Sequence, residues 1–265
     1  MALTIDPRPF VSVRHDQFEV EAKGLGAYLI DVSIPANLAR DSRLPVILVL
    51  DGNLIFDLVQ AIAHGRFTEA AGPLPPAIIV GVGYPAREGF STYYARRNFD
   101  FHGPWEMTDP LGLQLKGLFT SLRNAEGSSG HATEILAGGY SKFLSFLRDD
   151  LLPGLAAHYP IDLDGNHTLI GDSSGGILPF EPCLTPNRHF QNILPSVPAL
   201  APHQVKSKQQ KLHLPRPILT SGRRFSSVQD LLKWMKVCQL PFVVLAARRS
   251  GPPSSSRSGT GQMHG

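Results

Sequence analysis

The stretch from His167 to Gly176 reads HTLIGDSSGG and decides the fold of this chain. Its first four residues predict a short buried strand, and the next six, with three glycines, predict a sharp turn. Two earlier runs, Pro45–Leu50 and Ala77–Val82, are apolar without alternation, which is typical of parallel strands buried on both faces. The sequence therefore predicts a mainly parallel sheet.

The rest of the chain before this turn divides into further strands and helices. Apolar patterning predicts strands at 18–22 and 28–34 and amphipathic helices at 54–64 and 140–151, the second ended by Pro153. Residues 83–137 show no clear period and predict a long irregular segment. Strands that alternate with helices indicate an α/β fold with helices on the faces of the sheet.

The turn after the third buried strand carries the spacing Gly171-x-Ser173-x-Gly175. A serine on a tight strand-to-helix turn presents its hydroxyl at the edge of a sheet, where a histidine can take its proton. The backbone N–H that follows, from Ser174, can then face a developing oxyanion. The motif predicts Ser173 as a nucleophile. The alternative is a glycine-rich turn without chemistry, or one that binds phosphate.

Four stretches in order resemble the esterase branch of the α/β-hydrolases, which includes enterochelin-type siderophore esterases, S-formylglutathione hydrolases and mycolyltransferases. They are Leu44–Asn53, Pro75–Tyr84, Tyr94–Phe101, and Gly138-Gly139 with the helix that leads to Ser173. The resemblance covers about residues 15–176 and is closest to the siderophore esterases. It implies an α/β-hydrolase fold with a mainly parallel central sheet. Because the match stops at residue 176, we expect the sheet to be incomplete at its C-terminal side.

The resemblance also implies roles for individual residues. Ser173 would be the nucleophile, and the backbone N–H groups of Ser174 and Asn53 would form the oxyanion hole. Arg97 and Asp100 are expected to form an ion pair that holds a loop. In this family the catalytic histidine comes last, so His64, His102 and His131 are expected to be ordinary surface or loop residues.

Charge divides the chain at the turn. Residues 1–176 carry 20 acidic and 13 basic residues, a net charge of −7, whereas residues 177–265 carry 2 acidic and 12 basic residues, a net charge of +10. We therefore predict an esterase domain at 1–176 and an atypical basic tail, rich in proline and serine, at 177–265. The basic side chains are scattered without interleaved aromatic residues, which argues against a nucleic-acid partner.

The tail departs from the family directly after the turn. Pro179, Pro182 and Pro186 fall where the family has a helix, and proline inside a helix costs about 3 kcal/mol. Codons can be chosen for residues 177–201 so that another frame reads a family-like helix, strand and loop. We hypothesise that 177–265 are an out-of-frame translation, which would leave the sheet without its last strands and with an unpaired edge.

The catalytic acid and histidine are not identified by the sequence. Asp230 followed by His264 keeps the family order of serine, acid and histidine, and the other later candidates are Glu181, His189, His203 and His213. The sequence predicts a carboxylic-ester hydrolase with a small-molecule ester substrate. An inactive remnant with a frame-shifted tail and an acyltransferase are the alternatives.

Several features are expected to be absent. Two cysteines, Cys183 and Cys238, form neither a disulfide framework nor a metal cluster. We therefore expect no cofactor and no metal. No apolar run is long enough for a membrane span and the N-terminus lacks an apolar signal segment, so a cytoplasmic location without a membrane partner is expected.

Overall fold

The computed structural model describes most of the first 176 residues and parts of the chain beyond them. The described residues are 13–35, 38–39, 41–67, 74–127, 134–176, 190–196, 213–220, 223–227 and 245–246. For the last three of these ranges it describes the backbone and not the side chains. Within the described ranges, no helix has the length and apolar character needed to cross a bilayer.

One sheet organises the fold, and its strands run in the order β1-β2-β4-β3-β5-β6-β9-β7-β8. The strands are β1 (Val13–Ala22), β2 (Gly26–Pro35), β3 (Val46–Leu50), β4 (Ile78–Gly83), β5 (His167–Asp172), β6 (Phe190–Ser196), β7 (His213–Thr220), β8 (Arg223–Ser227) and β9 (Leu245–Ala246). The four central strands β4-β3-β5-β6 are parallel, and antiparallel pairs flank them on both sides. The predicted strands are confirmed.

Helices follow the strands as an α/β fold requires. They are α1 (Gly52–Phe67), α2 (Phe90–Phe101), α3 (Pro110–Ala125), α4 (Tyr140–Ser145) and α5 (Leu152–Ala156), with a 3-10 turn at Ala86–Glu88. A π-helical stretch, Phe146–Leu151, joins α4 to α5. β3 and β4 are buried along almost their whole length, which explains their continuous apolar sequence.

Two predictions about helices were wrong. The segment 83–137 is not irregular, since it contains α2 and α3; in α2 the buried face carries polar side chains, which hid the helical period. Pro153 does not end the helix before it. It lies in the first turn of α5, where the missing N–H of proline costs little because the π-helical stretch has already shifted the hydrogen bonding.

The sheet continues past β5. β6 pairs in parallel with β5 from His167 to Asp172, so β5 is not an exposed edge. Beyond β6 the pairing becomes antiparallel and short, with two pairs between β6 and β9. The division into a domain at 1–176 and a tail at 177–265 stays a prediction.

Candidate active site

Ser173 lies at a sharp turn directly after β5. Its φ is 53°, a left-handed conformation that costs a non-glycine residue about 1–2 kcal/mol. The turn closes through a hydrogen bond of 3.0 Å from the Gly176 N–H to the Ser173 carbonyl oxygen. A Cβ at Gly171 would lie 2.1 Å from the Gly175 oxygen, so this tight turn requires glycine at 171. This is the geometry in which a serine is held above the end of a strand.

The end of β3 contacts the same turn from the neighbouring strand. A Cβ at Gly175 would lie 2.9 Å from Asp51 Oδ2 and 3.3 Å from the Phe101 ring, so glycine is needed at 175 as well. Asp51 follows β3 with a φ of 55°, a second left-handed non-glycine residue. The segment from Asp51 to Asn53 therefore lies beside Ser173 at the carboxyl edge of the sheet.

Arg97 joins these two segments. Its Nε and Nη2 each donate to an oxygen of Asp51 at 2.7 Å, and Nη2 also donates to the Asp172 carbonyl oxygen at 3.2 Å. The Asp51 side chain is 2% exposed and that of Arg97 is 14% exposed, so the pair is shielded from water. The expected ion pair between Arg97 and Asp100 is not formed, because Arg97 reaches Asp51 instead.

Burial and mutual attraction both act on the pKa values of Asp51 and Arg97. Burial raises the pKa of Asp51, although the hydrogen bonds and charge of Arg97 act in the opposite direction. Burial alone would lower the pKa of Arg97, but its hydrogen bonds to Asp51 and the charge of Asp51 raise it above the usual value. The Tyr93 hydroxyl also donates to Asp51, at 3.4 Å.

Asp100 belongs to a separate buried cluster. The hydroxyls of Tyr28 and Tyr84 donate to Asp100 Oδ2 at 2.7 and 3.0 Å. The Arg96 guanidinium lies over both tyrosine rings, 4.8 and 5.0 Å from their centroids. Burial raises the pKa of Asp100 to about 6, while the hydrogen bond from Tyr28 and the charge of Arg96 oppose that rise.

Asn53 lies in the first turn of α1, where backbone N–H groups have no partner within the helix. Its side chain binds the backbone of Tyr84 twice, accepting from the N–H at 2.6 Å and donating to the carbonyl oxygen at 2.8 Å. A Cβ at Gly83 would lie 2.1 Å from Asn53 Oδ1, so glycine there admits the side chain. The Asn53 side chain thus holds the turn in place. That the backbone N–H of Asn53 donates to the oxyanion stays a prediction.

The histidines before Ser173 have structural partners. His64 is half-buried in α1, with Nε2 2.8 Å from Ser33 Oγ, and burial lowers its pKa. His102 is buried after α2 and its Nδ1 lies 2.9 Å from the Asn98 carbonyl oxygen. His102 lies in the loop after α2, as expected, although it is buried, whereas His64 lies within a helix and not in a loop; neither contact involves Ser173. His131 lies outside the described residues.

Most of the acidic residues and histidines that follow Ser173, the candidates for its catalytic acid and histidine, fall outside what the structure describes. This applies to Glu181, His189, His203, Asp230 and His264. His213 lies in β7, where the backbone alone is described.

Sequence reasoning missed the partner of Asp51. The signal was present, because an aspartate that directly follows a buried strand must be paired or hydrogen-bonded. The helical spacing of Tyr93, Arg97 and Phe101 on α2 could have identified the side chains that face it, had 83–101 been recognised as helical.

A parallel central sheet, helices on its faces and a serine held at a left-handed turn after β5 define an α/β-hydrolase fold. No known protein-family model matches the chain. The chain is 30% identical over 175 residues to a ferri-bacillibactin esterase of Bacillus subtilis, covering 65% of this chain and 54% of the relative. It is 27% identical over 198 residues to a siderophore triacetylfusarinine C esterase of Aspergillus fumigatus, covering 73% and 59%.

This chain is also similar to a solved structure. The BES protein from Bacillus cereus superposes with a TM-score of 0.58 at 28% identity, covering 76% of this chain and 69% of that one. The chain is thus similar to siderophore esterases, and its fold is that of an α/β-hydrolase. It spans between half and three fifths of the length of the curated relatives that it matches.

Proposed function

We propose that this protein is a carboxylic-ester hydrolase in which Ser173 is the nucleophile. The observation that carries the proposal is the left-handed turn at Ser173, which follows β5 and depends on glycine at 171 and 175. Ser173 lies at the carboxyl end of a central parallel strand, in a backbone conformation that is unfavourable for a residue with a Cβ. Strain of this kind is found where a side chain must be presented for chemistry.

The reaction follows from the position of Ser173. Its Oγ attacks the ester carbonyl carbon while a base takes its proton; the alcohol leaves with that proton, and water then releases the acid from the acyl-enzyme. The backbone N–H groups of Ser174 and Asn53 would donate to the oxyanion at about 3 Å. The position of Asn53 in an N-terminal helical turn, next to Asp51 at the same sheet edge, supports its assignment.

The substrate class is proposed from the relatives. Two curated relatives are named as esterases of ferri-bacillibactin and of triacetylfusarinine C, both siderophores. We propose siderophore esters as the substrates of this chain. A cytoplasmic location and the absence of a nucleic-acid partner stay predictions from the sequence, which does not identify the catalytic acid and histidine.

Labelling by a fluorophosphonate probe tests the nucleophile, because such a probe reacts with an activated serine and not with an ordinary hydroxyl. If residues 177–265 supply the activating base, the purified full chain should be labelled and Ser173→Ala should abolish the labelling; an out-of-frame tail would leave the folded chain unlabelled. Ser121→Ala is the matched control, since Ser121 is exposed on α3 and its Oγ bonds the Gly117 carbonyl oxygen of its own helix. Labelling that persists in Ser173→Ala would overturn the assignment.

The same sample separates the alternative functions. Hydrolysis of a siderophore ester in water supports the proposal. Turnover that requires an added alcohol would indicate an acyltransferase. A folded wild-type chain that neither reacts with the probe nor hydrolyses esters would be an inactive hydrolase remnant.

A further inference from the structure

We propose that Arg97 is a positioning residue that sets the spacing between the Ser173 turn and the backbone from Asp51 to Asn53. The inference rests on the proposed function, because the two segments that Arg97 joins are those that would supply the nucleophile and one oxyanion donor. The charge of Arg97 would act through these segments and not on the substrate.

Arg97 bridges the ends of two neighbouring strands. β3 and β5 are neighbouring parallel strands, with Val49 opposite Ile170, so Asp51 and Asp172 leave the sheet side by side. One guanidinium binds the side chain of Asp51 and the carbonyl oxygen of Asp172, the residue directly before Ser173. Loss of the bonds to Asp51 or of the bond to Asp172 should therefore shift the Ser173 turn relative to the backbone from Asp51 to Asn53.

The residues around Arg97 are closely packed. Arg97 lies over the Phe101 ring, 5.3 Å from the centroid, and Phe101 is 1% exposed. A Cβ at Gly175 would lie only 2.9 Å from Asp51 Oδ2, so the two segments approach each other closely. A planar guanidinium can make all three bonds at once, whereas a lysine ammonium cannot reproduce the two parallel bonds to a carboxylate.

Arg96 provides a matched control on the same helix. It is largely buried and makes bonds of comparable number, to the carbonyl oxygens of Leu25 and Ala27 and to Glu88. None of these bonds involves the segments beside Ser173. Loss of Arg96 should therefore destabilise the protein without altering the spacing at the site.

The experiment compares Arg97→Gln, Arg97→Lys and the double variant Asp51→Asn/Arg97→Gln with Arg96→Gln, all in the full chain. The double variant avoids a buried unpaired carboxylate and so keeps the protein folded. We expect the second-order rate of fluorophosphonate labelling to fall about 10- to 100-fold in all three Arg97 variants, with Arg97→Lys least affected, since a displacement of about 1 Å at a site can cost that much. With an ester substrate, kcat should fall while KM changes little.

Amide hydrogen exchange supplies a readout that needs no activity. Relative to the Val80 amide in β4, the amides of Ser174, Gly175 and Gly176 should exchange about 10-fold faster in the Arg97 variants and change less than about 2-fold in Arg96→Gln. Equal effects of Arg96→Gln and Arg97→Gln on these amides would overturn the inference. An unlabelled wild-type chain would refute the proposed function, and the exchange comparison would still decide the role of Arg97.

Discussion

Asp51 and Ser173 occupy left-handed backbone conformations one step beyond the ends of two neighbouring parallel strands, with φ angles of 55° and 53°. Each conformation is unfavourable for a residue with a Cβ. They persist because Gly175 lets the two turns approach closely and Arg97 bonds both. The candidate site is thus held by contacts between strands as well as by the serine motif itself.

Gly171→Ala should destabilise the protein and abolish labelling of Ser173. The new Cβ would lie 2.1 Å from the Gly175 oxygen, an overlap with backbone that no side-chain rotation relieves. We expect a loss of about 3 kcal/mol in the free energy of unfolding, the upper end for overpacking, measured by urea denaturation.

The control for that substitution is Gly117→Ala on α3, where a Cβ meets no atom within 4 Å. Alanine there should stabilise the helix by up to about 1 kcal/mol. A wild-type stability for Gly171→Ala would show that the turn is looser than the structure indicates.

Asp100→Asn should remove a pH dependence of stability between about pH 4 and 6. Burial raises the pKa of Asp100 to about 6 in the folded protein, whereas 3.8 is its ordinary value. The folded state therefore binds more protons in this window, and the free energy of unfolding falls as pH rises through it. Two pH units correspond to about 3 kcal/mol at most.

The measurement is urea denaturation of wild type and Asp100→Asn at pH 4, 5, 6 and 7. The free energy of unfolding of wild type minus that of Asp100→Asn should fall steadily from pH 4 to pH 6 and level off near pH 7. Asp51, whose pKa is also raised by burial, contributes in the same direction in both proteins and cancels in the difference. Exposed Asp57→Asn on α1 serves as the control. A difference that does not vary with pH would contradict the shifted pKa of Asp100.

Asn53→Ala should destabilise the turn that leads from β3 into α1. The substitution leaves the N–H and carbonyl oxygen of Tyr84 without their bonds to the side chain, at a cost of about 1–3 kcal/mol. Leu54→Ala, at the next position and 64% exposed, should change stability by less than about 0.5 kcal/mol. The test is the midpoint temperature of thermal unfolding of the two variants. Equal midpoints would show that the Asn53 side chain does not hold this turn.

Local patterns were sufficient to predict the central strands. Runs such as Val46–Leu50 must be buried on both faces, and this requirement is visible in the sequence itself. The glycines at 171 and 175 likewise predicted a tight turn, because spacing within a short segment determines it. The structure confirms the strands and shows such a turn.

Long-range pairing could not be predicted in this way. Arg97 lies 46 residues from Asp51 and has Asp100 three residues away on its own helix, so proximity in sequence favoured the wrong partner. The periodicity of α2 was hidden because its buried face carries Asn98 and Asp100 among its apolar residues. Buried polar side chains find their hydrogen-bond partners on elements that are distant in sequence. Which elements come together is determined only by the assembled sheet.

The last prediction concerns the gene and not the folded chain. Sequencing the DNA across the codons of Gly176 and Ile177 should reveal one missing base, because acidic residues almost vanish there and prolines occupy the place of the family's helix. The parallel pairing of β6 with β5 is made by the backbone, which any extended segment can supply, so it fits either frame. Restoring the base should yield a chain that reacts with the fluorophosphonate probe faster than the present one, since a triad histidine activates the serine. An uninterrupted reading frame in independent isolates would instead make Asp230 and His264 the residues to substitute next.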